Sequence, residues 1–120
     1  MAYLYRIRPD GTAIERWEVG TEPLVMGRGE SASAFVEDDA LSRSHFLIVN
    51  EGADYIVVDL HSRNGTWVGG TRVKAHKLLS DEIILAGESL FCFSTKPPSS
   101  FVIPNPAAAI QSRQSAAARA

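Results

Sequence analysis

The chain has a single cysteine, Cys92, so no disulfide can form within it. Cys92 lies inside Leu90-Phe-Cys-Phe, a setting that favours a small buried hydrophobe over a reactive thiol. Long apolar runs are also missing. The longest, such as Ile83-Ile84-Leu85-Ala86 and Tyr55-Ile56-Val57-Val58, fall far short of the ~20 residues that a membrane-spanning helix needs. The opening Met1-Ala-Tyr-Leu-Tyr-Arg-Ile-Arg lacks a basic stretch ahead of an apolar one, so no secretory signal is read there and a cytoplasmic location is expected. Before residue 95 no apolar stripe holds helical spacing over about ten residues, which argues against alternating β and α units. No internal repeat is visible.

Positive charge is scarce where most of the apolar residues lie. Of 12 basic and 14 acidic residues, three basic ones (Lys96, Arg113 and Arg119) and no acid follow residue 95. Residues 1–95 therefore carry a net charge of −5, a poor match for non-specific nucleic-acid binding, which depends on neutralising many phosphates. Any anion that this part binds must be held by a local cluster.

What is present is a series of short strand-like runs. They fall at Tyr3–Arg8, Ile14–Val19, Pro23–Met26, Phe46–Asn50, Tyr55–Leu60, Thr66–Val68, Glu82–Leu85 and Leu90–Ser94. Turn signals separate them: Pro9-Asp10-Gly11, Glu51-Gly52-Ala53, Asn64-Gly65 and Gly69-Gly70. The pattern predicts an all-β sandwich or barrel. With 120 residues, one domain is expected, over residues 1–95. Residues 96–120, rich in Pro, Ser and Ala, read as a linker and tail that bury too little apolar surface to offset their ordering entropy. Within that tail, Phe101-Val-Ile could dock on the domain, and Ala107–Ala120 has helix propensity but needs a partner to be stable.

Three polar clusters interrupt the strands: Gly27-Arg28, Ser42-Arg43-Ser44-His45, and Ser62-Arg63-Asn64-Gly65-Thr66. Each falls at a strand end or in a connection, where binding residues concentrate. Alone, each has a plain structural explanation, and Asn64-Gly65 is a common two-residue hairpin signal. Together they supply what a phosphomonoester needs: a cation able to make paired bonds, and neutral donors around three acceptor oxygens.

The order of these clusters resembles the forkhead-associated (FHA) domain family. Gly-Arg is followed about fifteen residues later by Ser-x-x-His, then about twenty residues beyond by Ser-x-Asn-Gly-Thr. Leu41 before the Ser-Arg pair, Val58-Asp59-Leu60 leading into Ser62, and the Trp67-Val68-Gly69-Gly70 hairpin match as well, so the resemblance covers residues 4–94. It implies a twisted β-sandwich of eleven short strands that recognises phosphothreonine peptides through loops at one end. By position, Arg28, Ser42 and Arg43 would bind phosphate, and Arg63 and Asn64 the peptide. Gly27, His45, Gly65 and Thr66 would be structural. The implied partner is a threonine-phosphorylated protein, with no cofactor, metal, nucleic acid or membrane. Phosphorylation of Thr95 or the tail serines would allow one copy to bind another.

Two departures from the family pattern stand out. The usual Leu-x-x-Gly-Asp-x-Ile appears as Leu78-Leu79-Ser80-Asp81-Glu82-Ile83, with no glycine before the acid, and Arg63 replaces a short side chain beside Asn64. Other functions find less support. A hydrolytic set can be drawn from Ser42, His45 and Asp59, but no Gly-x-Ser-x-Gly elbow is present. His45, His61 and His76 lack the close spacing of metal ligands, and Gly27-Arg-Gly29 is neither a dinucleotide fingerprint nor a P-loop. No catalysis is expected. The remaining alternative is a scaffold that assembles without phosphorylation.

Overall fold

The apolar runs become strands because β-branched and aromatic side chains fit a pleated, half-buried surface. The computed structural model describes residues 2–100. Its eleven strands are β1 (Ala2–Ile7), β2 (Ala13–Val19), β3 (Leu24–Gly27), β4 (Ala34–Phe35), β5 (Phe46–Glu51), β6 (Asp54–Asp59), β7 (Thr66–Val68), β8 (Thr71–Val73), β9 (Ala75–Lys77), β10 (Ile83–Ala86) and β11 (Ser89–Ser94). One sheet has the order β2-β1-β11-β10-β7-β8 and the other β4-β3-β5-β6-β9. The all-β architecture read from the sequence is the one observed. A single turn of 3-10 helix follows at Pro98–Ser100, so the first residues of the expected linker are folded, and the expectations for Phe101-Val-Ile and Ala107–Ala120 lie outside the described residues.

The core forms between the two sheets. Phe46 of β5 meets Phe91 of β11 edge to face, with ring centroids 5.7 Å apart, and Leu4, Met26, Ile48, Val57, Ile84 and Phe93 surround them without solvent exposure. Burying each such side chain contributes about 1.5–3 kcal/mol. Every residue of β11 is buried, and the strand lies between β1 and β10 in its sheet.

Two sequence expectations change. Asn64-Gly65 is not a hairpin turn, because β6 and β7 lie in different sheets; the tight turn is at Gly69-Gly70 between β7 and β8, where consecutive φ values are 58° and 79°. In the turn before β10 the missing glycine is replaced in conformation by Asp81, whose φ is 75°. Glu82 then acts as the turn's acid, accepting a hydrogen bond from the Leu79 N–H at 2.7 Å and pairing with His76 at 3.0 Å.

Candidate functional site

Three connections meet at one end of the sandwich: the segment after β3, the β4–β5 connection and the β6–β7 connection. The first two are joined by backbone. Arg28 N–H donates to Ser42 O and Gly29 N–H to Arg43 O, each at 3.1 Å, and His45 N–H reaches Met26 O at 2.8 Å. Such close approach requires glycine at position 27. A Cβ there would lie 2.0 Å from Arg43 O, so the Gly27 of the motif is a spacing residue.

His45 rivets the second and third connections. It is fully buried; its Nδ1 accepts from the Ser42 N–H at 3.0 Å and its Nε2 lies 2.8 Å from Gly65 O. An N–H donor on one side and a carbonyl acceptor on the other fix the neutral ring, with the proton on Nε2. Burial holds the His45 pKa below the usual imidazole value, outweighing the opposing bond to Gly65. Gly65 has φ 85°, and a Cβ on it would meet Arg72 Nε at 2.5 Å, so this position too requires glycine.

The candidate ligand groups project from this frame. Arg28 is exposed, and its Nε is spent on Leu41 O at 2.8 Å; among the described residues its two terminal amino groups are unclaimed. Ser42 Oγ accepts from Arg63 N–H at 3.1 Å, leaving its own proton to donate. Arg43 is exposed beside it. Arg63 reaches Asp39 O at 3.2 Å, and Asn64 donates through Nδ2 to Ala40 O at 2.8 Å. The structure thus gathers Arg28, Ser42, Arg43, Arg63 and Asn64 around one loop cluster, while Arg63 and Asn64 also tie that cluster together.

Two aspartates that the motif reading did not single out as structural residues hold the loops from behind. Asp59 accepts from Thr66 Oγ1 at 2.8 Å, from Ser62 N–H at 3.1 Å and from Ser62 Oγ in a very short contact, while Ser62 Oγ also receives Gly65 N–H at 3.0 Å. Asp38 binds Ala40 N–H at 2.9 Å, and across the sandwich it binds Glu88 N–H at 2.9 Å and Ser89 Oγ at 2.7 Å. Partial burial pushes both carboxyls up, but the donated bonds more than offset it and hold both below the ordinary carboxylate value. The available signals were local: an Asp two residues before Ala40, and another three before Ser62.

This geometry does not link Ser42, His45 and Asp59 as a hydrolytic set. The bond between Ser42 and His45 uses the serine backbone rather than its hydroxyl, and the Asp59 carboxylate is engaged by Ser62 and Thr66. Among the described residues, no group of three or more His, Cys, Asp or Glu side chains is placed to hold a metal ion, and no helix is long and apolar enough to cross a membrane.

The loop cluster and the sandwich that carries it have counterparts among known proteins. The family model for the FHA domain matches residues 24–87, more than half of the chain. The chain belongs to the FHA domain family. FhaA of Mycobacterium tuberculosis, named as an FHA domain-containing protein, is 34% identical over 65 residues, covering 54% of this chain and 12% of FhaA. The glycogen accumulation regulator GarA of Mycolicibacterium smegmatis is 33% identical over 73 residues, covering 61% of this chain and 46% of GarA. The chain therefore spans less than half the length of either relative. A solved domain from a structural and functional analysis of phosphothreonine-dependent FHA domain interactions superposes with a TM-score of 0.68 at 27% identity, covering 80% of this FHA chain and 97% of the other.

Proposed function

We propose that this FHA domain reads phosphothreonine in partner proteins, binding without catalysis and turning a kinase signal into association. The observation that carries the reading is the Arg28–Ser42 pair: an exposed guanidinium anchored through Nε beside a serine whose proton is free to donate, both held by main-chain bonds. Arg28 supplies a planar two-pronged donor to phosphate, Ser42 a neutral one, and Arg43 a second cation. The remaining capacity of the Asn64 side chain serves the peptide main chain, with Arg63 beside it. Gly27, His45, Gly65 and Thr66 act as architecture.

An unmodified threonine offers one hydroxyl, whereas phosphothreonine carries about −1.5 to −2 charge and three strong acceptors, so the donors gain partners only after phosphorylation. A solved relative studied for phosphothreonine-dependent interactions supports the reading. Ser42 Oγ bonds the Arg63 N–H while His45 Nδ1 is taken by the Ser42 N–H, which supports binding over hydrolysis. The domain is assigned to residues 1–95, with 96–120 as linker and tail, acting in the cytoplasm.

Calorimetry with phosphothreonine, threonine and phosphoserine versions of a degenerate peptide library tests this. Binding is expected to require phosphate and to fall about 10- to 150-fold or more in Arg28→Ala, the worth of a charged hydrogen bond. Equal binding of phosphorylated and plain peptides would overturn the reading in favour of a phosphorylation-independent scaffold.

A further inference from the structure

Two depressions adjoin the loop cluster, and they carry opposite charge. One, of about 710 Å³, includes Arg28 in its wall, but Glu30, Glu37, Asp39 and Glu88 also line it. The other, of about 690 Å³, lies beside the β6–β7 connection and combines an apolar floor, Val58 and Val73, with His61, Arg72 and Lys74. His61 and Ser62 in its wall immediately precede Arg63 and Asn64, and Arg72 lies across Gly65, so this basic depression is continuous with the candidate peptide-binding loop.

We infer that the depression lined by His61, Arg72 and Lys74 is a second anion subsite, which receives a carboxylate side chain of the bound peptide and so selects phosphothreonine peptides with an acidic residue on one flank. The inference rests on the phosphothreonine reading above and deepens it. Its basis is charge left unspent. The ion pairs among the described residues join Arg6 to Glu15, His76 to Glu82, Lys77 to Asp54 and Lys96 to Asp81, so neither Arg72 nor Lys74 is paired with an acid of the domain. The one carboxylate in the wall, Asp59, is occupied by Ser62 and Thr66.

The backbone at the rim supports the same reading. His61 adopts φ 54°, a left-handed conformation unusual for a side chain of its size, and strain of this kind gathers at ligand sites. Hydrophobic walls also make a charge–charge contact stronger than it would be on an open surface. Beyond the phosphate at Arg28, a peptide meets repulsion for further acids from Glu30, Glu37, Asp39 and Glu88, and attraction on the Lys74 side. The two fields together fix which flank carries the acid.

The test uses the full chain and phosphothreonine peptides carrying Asp, Ala or Lys in turn at each of several positions on either side of the phosphothreonine, titrated at low and high salt. At one or more positions on a single flank, Asp is expected to bind about three- to tenfold more tightly than Ala, an advantage that shrinks with salt. In Lys74→Gln the Asp-to-Ala ratio should fall towards one. Arg72→Gln should act in the same direction; because Arg72 packs against Gly65, the exposed Lys74 provides the variant that leaves the loop contact intact. Phosphate-dependent binding with no Asp advantage at any position, or an advantage that persists in Lys74→Gln and Arg72→Gln, overturns the inference while leaving the phosphothreonine reading standing. Loss of the distinction between phosphorylated and plain peptides would remove both.

Discussion

The two ends of the sandwich solve the same problem, turning the chain between strands, by different means. At the ligand end, polar side chains bond backbone far away in sequence: Arg28 to Leu41, His45 to Gly65, and Asn64 to Ala40, across 13, 20 and 24 residues. At the other end, side chains of the turn before β10 act locally, with Glu82 reaching Leu79 three residues back and His76 six residues back, and the long-range bonds are mostly backbone, from Leu78 N–H to Tyr55 O at 2.8 Å and from Asp81 N–H to Phe93 O at 2.7 Å. Backbone pairing of that kind fixes a turn against the strands beside it. Bonds between connections fix their relative positions, which is what a multi-point grip on one phosphate demands.

Breaking the long-range end should cost most. His45→Ala removes a fully buried ring and leaves Ser42 N–H and Gly65 O without their partner, so a loss of about 3–5 kcal/mol is expected in urea denaturation. Phosphopeptide affinity should weaken with it. Gly27→Ala forces the backbone apart at Arg43 O and should lower stability by about 1–3 kcal/mol, again with weakened binding, since Arg28 and Ser42 are displaced together.

Acid sharpens the contrast. The folded-state pKa of His45 is lowered, so its contribution is complete above the unfolded value of about 6.5 and is lost as pH falls through the lower folded value. Asp38 and Asp59, also lowered, add a second loss in more acidic solution, below the ordinary carboxylate range of about 4. Denaturant midpoints measured from pH 7.5 down to 3 should therefore decline in two stages, and a His45→Gln variant that folds should lack the first.

The smallest effect lies at the turn before β10 and runs the other way. Asp81→Gly relieves a left-handed residue and should raise stability by about 0.5–1 kcal/mol, after the extra freedom glycine gives the unfolded chain is counted. The lost contact to Lys96 at 3.2 Å is exposed and worth little. Phosphopeptide titrations of this variant should match wild type, because the change is confined to the far end.

The long strands were legible because their apolar residues recur in compact runs bounded by turns. Strands β4, β8 and β9 were not: Ala34-Phe35, Thr71-Arg-Val and Ala75-His-Lys are paired by neighbouring backbone and carry too few residues for a period to show. The ligand-end motifs were legible because Gly27, His45 and Gly65 each meet a steric or hydrogen-bonding demand that few residues satisfy. The bracing roles of Asp38 and Asp59 were not legible, because an aspartate before a loop looks like ordinary surface charge until its distant partners, Ser89 and Thr66, are seen. The basic depression was hidden for a similar reason. His61, Arg72 and Lys74 come together only when the β6–β7 connection and β8 are packed side by side.

The tautomer of His45 has one more consequence. A proton added at Nδ1 would face the Ser42 N–H, so protonating the rivet and keeping the two connections in register are mutually opposed. Thermodynamic coupling is reciprocal: whatever factor a proton takes from ligand affinity, the ligand takes from proton affinity. An occupied domain should thus withstand acid that opens an empty one.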